Sequence, residues 1–174
     1  SAHALSEMRE VSSCPVMGVV EAGILATANA LSDKNSNILI IGTKATINSK
    51  AYEIGLRAES FTNLQAKATG LFVPIVEEEI YEGEILEATF KHYFNNLAKP
   101  DAIILGCTHF PLIADAIKNY FGKETILIHS GDAIVEHLQK DFCFDAKYET
   151  TKLEFFASEN PESLKSIGKK WLNL

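Results

Sequence analysis

The chain reads as an α/β protein, a mainly parallel sheet with helices on both faces in a three-layer sandwich. Three observations predict this. Short apolar runs recur at 38–41, 102–105 and 126–128, the pattern of strands buried on both faces. Between them, apolar residues return at helical spacing. Each run also closes on a polar turn that opens a helix, as after Gly42 and Gly106.

Taken in order, Ala4, Leu5 and Met8 share one helical face with no start signal before it. Cys14-Pro15 breaks that helix, and residues 16–20 read as a short apolar strand around Gly18. Cys14 lies in the connection and reads as structural. Ile24, Leu25, Ala28 and Leu31 follow at helical spacing, and 33–37 is a polar turn cluster. Strand 38–42 leads into a turn through Thr43 and Thr46, then a helix expected to face inward through Ala51, Ile54 and Ala58. On residues alone, the two threonines read equally as helix caps and as donors to a carboxylate. Residues 64–68 form a weak strand. Glu77 ends the apolar run Phe72-Val73-Pro74-Ile75-Val76, where a carboxylate can be partly buried. Glu78 and Glu79 read as a solvated charge run. A helix over 83–97 carries Ile85, Leu86, Thr89, Phe90 and Tyr93, with His92 as surface or packing. Strand 126–129 precedes a helix opened by Ser130-Gly131-Asp132, with Ile134, Val135 and Leu138 inward. An edge strand over 153–157 and a last helix from Asn160-Pro161 complete the chain.

The 174 residues can bury a real core. A net charge of −7 with no basic stripe argues against nucleic acid or an anionic membrane as partner. No stretch is long enough for a membrane span. The three cysteines, Cys14, Cys107 and Cys143, are widely spaced with no CxxC pair, which suits a reducing cytoplasm and offers no metal site.

The stretch Gly106-Cys107-Thr108-His109-Phe110-Pro111-Leu112 holds the best candidate for chemistry. Cys107, Thr108 and His109 fall in the turn between a strand's carboxyl end and a helix, where ligands bind in open α/β sheets. The helix dipole there favours thiolate over thiol, and His109 supplies a second titratable group. A lone cysteine near a strand end is also commonly a packing residue.

That motif resembles the second cysteine motif of the glutamate racemases, cofactor-independent enzymes that make D-glutamate for peptidoglycan. Aspartate racemases are similar but typically carry Glu in place of His109. Gly42-Thr43-Lys44-Ala45-Thr46 resembles the family's Gly-Thr-x-x-Thr turn, Phe72 to Glu77 its Phe-Val-Pro-Leu-Val-Glu, and Val20-Glu21-Ala22-Gly23 its interdomain crossing. Ser1-Ala2 resembles the end of the first cysteine motif, Cys-Asn-Thr-Ala-Ser-Ala, which places the partner cysteine and an Asp-Ser strand end upstream of residue 1.

The resemblance implies two α/β domains with the active site between them: residues 19–125 as a complete second domain, with 1–18 and 126–174 as the remainder of a first. It implies Cys107 as one of two opposed thiols, the base toward L-glutamate and the acid in reverse. His109 would assist its proton transfers, Glu77 would organise charge, and Thr43, Thr46 and Thr108 would hold the substrate. No cofactor or metal is expected. The expected partners are glutamate and a possible second copy in a homodimer, in the cytoplasm. This chain alone would at most exchange the α-proton from one face. The alternatives are an aspartate or other amino-acid racemase of the same fold, or a non-catalytic α/β binding module.

Overall fold

A computed structural model describes residues 4–141 and, beyond them, 154, 156, 157, 161, 162, 165, 168 and 169. The chain divides into two compact units, 1–142 and 143–174. Within the first, the elements run α1 (Leu5–Val11), α2 (Val19–Ala30), β1 (Ile38–Gly42), α3 (Lys44–Asn48), α4 (Ala51–Ala58), β2 (Leu64–Ala68), α5 (Phe72–Glu77) and α6 (Glu84–Phe94). Then come β3 (Ala102–Gly106), a 3-10 turn (Phe110–Ile113), α7 (Ala114–Phe121), β4 (Ile126–His129) and α8 (Ser130–Asp141).

The four strands form one sheet in the order β2-β1-β3-β4, every pair parallel. Strand side chains alternate between faces, and the apolar runs supply both. Leu39, Ile41, Ile103 and Leu105 meet the helices of one face through Phe72, Phe90, Phe94, Phe110 and Ile117. Ile38, Ile40, Ala102, Ile104 and Ile128 meet the other through Val20, Leu31, Tyr52, Leu56 and Phe61. β1 and β3 are therefore continuously hydrophobic, while the edge strand β2 admits Gln65 and Lys67. The α/β, parallel-sheet expectation holds. At the far edge of the sheet, Ile126 N–H donates to Asp101 O at 2.9 Å, and β4 pairs with β3.

Several local expectations are corrected. Residues 16–20 form no strand: Gly18 is the extended N-cap of α2, and Val19 and Val20 open that helix, with Val20 in the core. On α4 the buried residues are Tyr52 and Leu56, whereas Ile54 is exposed, so the helix turns a different face inward from the one its apolar spacing suggests. On α8, Ala133 is buried and Val135 exposed, because the helix starts directly from β4 at Ser130. Cys14 is exposed rather than packed. The 153–157 strand expectation lies partly outside the described residues, and Glu154, Phe156 and Ala157 are in no strand. Leu164, Ile167, Trp171 and Leu172 of the last expected helix, and Cys143, lie outside them too.

Candidate active site

The parallel sheet places the carboxyl ends of all four strands along one edge, and the chain leaves β1 and β3 in opposite senses. From β1 it passes through α3 and α4 to β2; from β3 it passes through α7, on the other face, to β4. The crevice between the ends of β1 and β3 is therefore the topological switch point, where open α/β sheets bind ligands. An open cleft of about 520 Å³ lies there. The turn after β1 gives it Thr43, Ala45 and Thr46, the turn after β3 gives Cys107 and Thr108, and the start of α8 gives Ser130 and Gly131.

Thr43 is the N-cap of α3, accepting a hydrogen bond from Thr46 N–H at 3.3 Å, and the two hydroxyl oxygens lie 3.1 Å apart. Capping and cleft lining thus occur in the same residues. Thr108 is exposed at the cleft wall.

Cys107 is half-buried, with Sγ 3.7 Å from His109 Nδ1. His109 Nε2 in turn lies 3.3 Å from Glu77 Oε1. The three side chains form a file from the cleft to solvent, with sulfur at the cleft and an exposed carboxylate at the far end. Glu77 is not the partly buried carboxylate expected, because it is the last residue of α5, where the chain leaves the core. Glu78 and Glu79 are exposed as expected.

The Cys107 thiol is corrected too. Burial pushes its pKa up, and the Glu77 charge adds to this, outweighing the backbone N–H groups of His109 and Thr108. The dipole argument assumed a regular helix start in solvent. Here a 3-10 turn follows the cysteine, and desolvation favours the neutral thiol.

Sequence reasoning missed Tyr52 as a lining residue and passed over Ser130. Tyr52 is buried in the cleft floor, its hydroxyl 2.8 Å from Ser130 Oγ. The only sequence signal was a tyrosine on a short helix opposite glycines, which has no local signature. Among the described residues, no three His, Cys, Asp or Glu side chains converge as a metal site would need.

A family model described as Asp/Glu/Hydantoin racemase matches residues 1–138. The glutamate racemase of a Nitratiruptor species is 60% identical over 172 residues, covering 99% of this chain and 68% of that protein. The chain belongs to the Asp/Glu/hydantoin racemase family, on its glutamate racemase branch. The crystal structure of Campylobacter jejuni glutamate racemase superposes with a TM-score of 0.95 at 52% identity, covering all of this chain and 70% of that one. The Francisella tularensis glutamate racemase, solved in complex with D-glutamate, has a TM-score of 0.77 at 25% identity, covering 96% of this chain and 63% of that one. Among the described residues, no helix of this family member is long and apolar enough to cross a membrane.

Proposed function

We propose that this protein interconverts L- and D-glutamate, with Cys107 as the proton-transferring thiol on one side of the α-carbon. The observation that carries the reading is a thiol lining the switch-point cleft with His109 and Glu77 in file behind it. Racemisation removes a proton from carbon and returns one to the opposite face, so it needs groups that both release and accept protons near neutrality. A thiol whose neutral form is favoured by burial is a ready donor to a carbanion. To act as base it must first lose its proton, and His109 Nδ1 is the nearest acceptor that the geometry offers. Glu77 Oε1 faces the other ring nitrogen at 3.3 Å and orients the ring for that transfer.

The Thr43 and Thr46 hydroxyls, with Thr108 across the cleft, suit the carboxylates and ammonium of an amino-acid substrate. The D-glutamate complex of the Francisella relative supports glutamate as that substrate. The mechanism requires neither metal nor organic cofactor, and its setting is the cytoplasm, where thiols stay reduced.

The test is α-proton exchange in deuterated water, with the complete enzyme and its Cys107→Ser variant. The unmodified enzyme should label both enantiomers. The variant should lose labelling from L-glutamate by about a hundredfold or more, the usual contribution of a positioned acid–base group. Retained exchange from L-glutamate would remove Cys107 from the mechanism. Glutamate binding with no exchange by the unmodified enzyme would make the protein a binding module instead.

A further inference from the structure

Tyr52 is 4% exposed in the cleft floor, although no step of the proposed reaction uses it. Its ring sits where four elements meet. It projects from α4, passes Gly23 of α2, lies against Gly106 at the end of β3, and reaches Ser130 at the start of α8. Two missing side chains admit it. A Cβ on Gly23 would stand 2.8 Å from Ser130 Oγ and 3.1 Å from Tyr52 Cε1. A Cβ on Gly106 would stand 3.3 Å from Tyr52 Cε2, 3.4 Å from Thr46 Cγ2 and 2.8 Å from the Ile41 carbonyl oxygen. The ring and the Thr46 methyl thus pack directly against the residue that precedes Cys107.

The hydroxyl fixes the ring. Tyr52 Oη and Ser130 Oγ lie 2.8 Å apart, both residues nearly buried, so one donates to the other with little competition from water. Ser130 is held in turn by its place at the junction of β4 and α8. On the other side of the turn, Phe110 N–H donates to Cys107 O at 3.2 Å, and Phe110 is fully buried. The Cys107 turn is therefore gripped from both sides, by Phe110 in the core and by Tyr52 in the cleft floor.

We propose that Tyr52 and Ser130 are positioning residues for the racemisation: their hydrogen-bonded pair sets the floor beneath Gly106 and thereby aims the Cys107 thiol. The inference rests on the reading of Cys107 given above. Proton transfer to carbon is sensitive to small misplacement of the transferring group, so loss of either hydroxyl should slow the chemistry more than it weakens binding.

The test uses the complete enzyme with Tyr52→Phe, Ser130→Ala and the double variant, measuring kcat and KM in both directions. Iodoacetamide alkylation of Cys107 across pH is followed without substrate. Each single variant should lower kcat about tenfold while KM stays within about twofold. Each should also change the alkylation profile, and the double variant should cost no more than the worse single, because the hydroxyls act as a unit. Should Tyr52→Phe fail to fold, Ser130→Ala carries the test alone. Unchanged kcat and alkylation, even with a lowered Tm, would overturn the inference, since the pair would then be structural only. If Cys107→Ser keeps turnover, the functional reading falls. If Cys107→Ser abolishes turnover while both hydroxyl variants keep it, only the positioning role falls.

Discussion

Two influences oppose each other at Cys107. Backbone N–H groups of Thr108 and His109 favour the thiolate, whereas burial and the Glu77 carboxylate favour the thiol and win. At a given pH the thiolate fraction is therefore smaller than that of an ordinary cysteine. Removing the Glu77 charge removes one cause of the upward shift, so Glu77→Gln should move the pH midpoint of Cys107 alkylation downward. Alkylation followed by mass spectrometry across pH reads this directly, and an unmoved or raised midpoint would contradict the assignment. Thr43 separates its two roles by substitution. Thr43→Ala loses the N-cap bond to Thr46 N–H, a loss of about 1 kcal/mol, and also a cleft hydroxyl. Thr43→Ser retains both. If Thr43 holds substrate, the Ala variant should raise KM for glutamate severalfold and the Ser variant should not. A stability loss with unchanged KM would leave Thr43 as a cap alone.

Among the elements, α5, α6 and the 3-10 turn are joined by aromatic rings rather than by hydrogen-bond ladders. Phe72 is fully buried, with its ring centroid 5.2 Å from Phe90, 5.4 Å from Tyr93 and 5.6 Å from Phe110, the last edge-on. It ties the helix ending at Glu77 to the turn that follows His109, so the contact between His109 and Glu77 depends on it. Phe72→Ala should destabilise the fold by about 3–5 kcal/mol, the usual cost of emptying such a site. Urea denaturation measures this; a loss under about 1 kcal/mol would mean that the cluster repacks freely. The strands were legible in the sequence because β1 and β3 are buried on both faces and read as unbroken apolar runs. Helix faces were less legible. Ile54 and Val135 match an apolar period but are exposed, since register is set by where each helix starts, α4 after Lys50 and α8 directly from β4, rather than by hydropathy alone. Residues 16–20 have strand-like composition, yet Gly18 turns them into a helix start.

Across residues 4–141, the order β2-β1-β3-β4 puts the two most buried strands in the middle, and the candidate site grows from their ends. This is why Thr43, Thr46, Cys107 and Thr108 could be found by reading: each follows a strand within its own turn. The pairing of Tyr52 with Ser130 could not, because the two meet across 78 residues of chain and only the folded sheet joins them. Glu77 and His109 also meet only in the fold: each stood out within its own stretch, but nothing local joined the two. The same architecture predicts how the chain opens. Every residue of β1 is buried, as are Ala102 to Leu105 of β3, and these strands pair on both sides. α1 has no buried residue and is held to α2 through exposed contacts, with the Arg9 guanidinium gripping both Glu21 carboxylate oxygens at 3.0 and 2.7 Å. Amides protected by a two-sided, buried ladder exchange only on global unfolding, whereas an exposed helix opens locally. Hydrogen exchange of the 174-residue chain should therefore leave 38–41 and 102–105 protected longest, release β2 and β4 earlier, and release α1 first. Protection of α1 equal to that of β1 would refute this order, because α1 buries none of its residues.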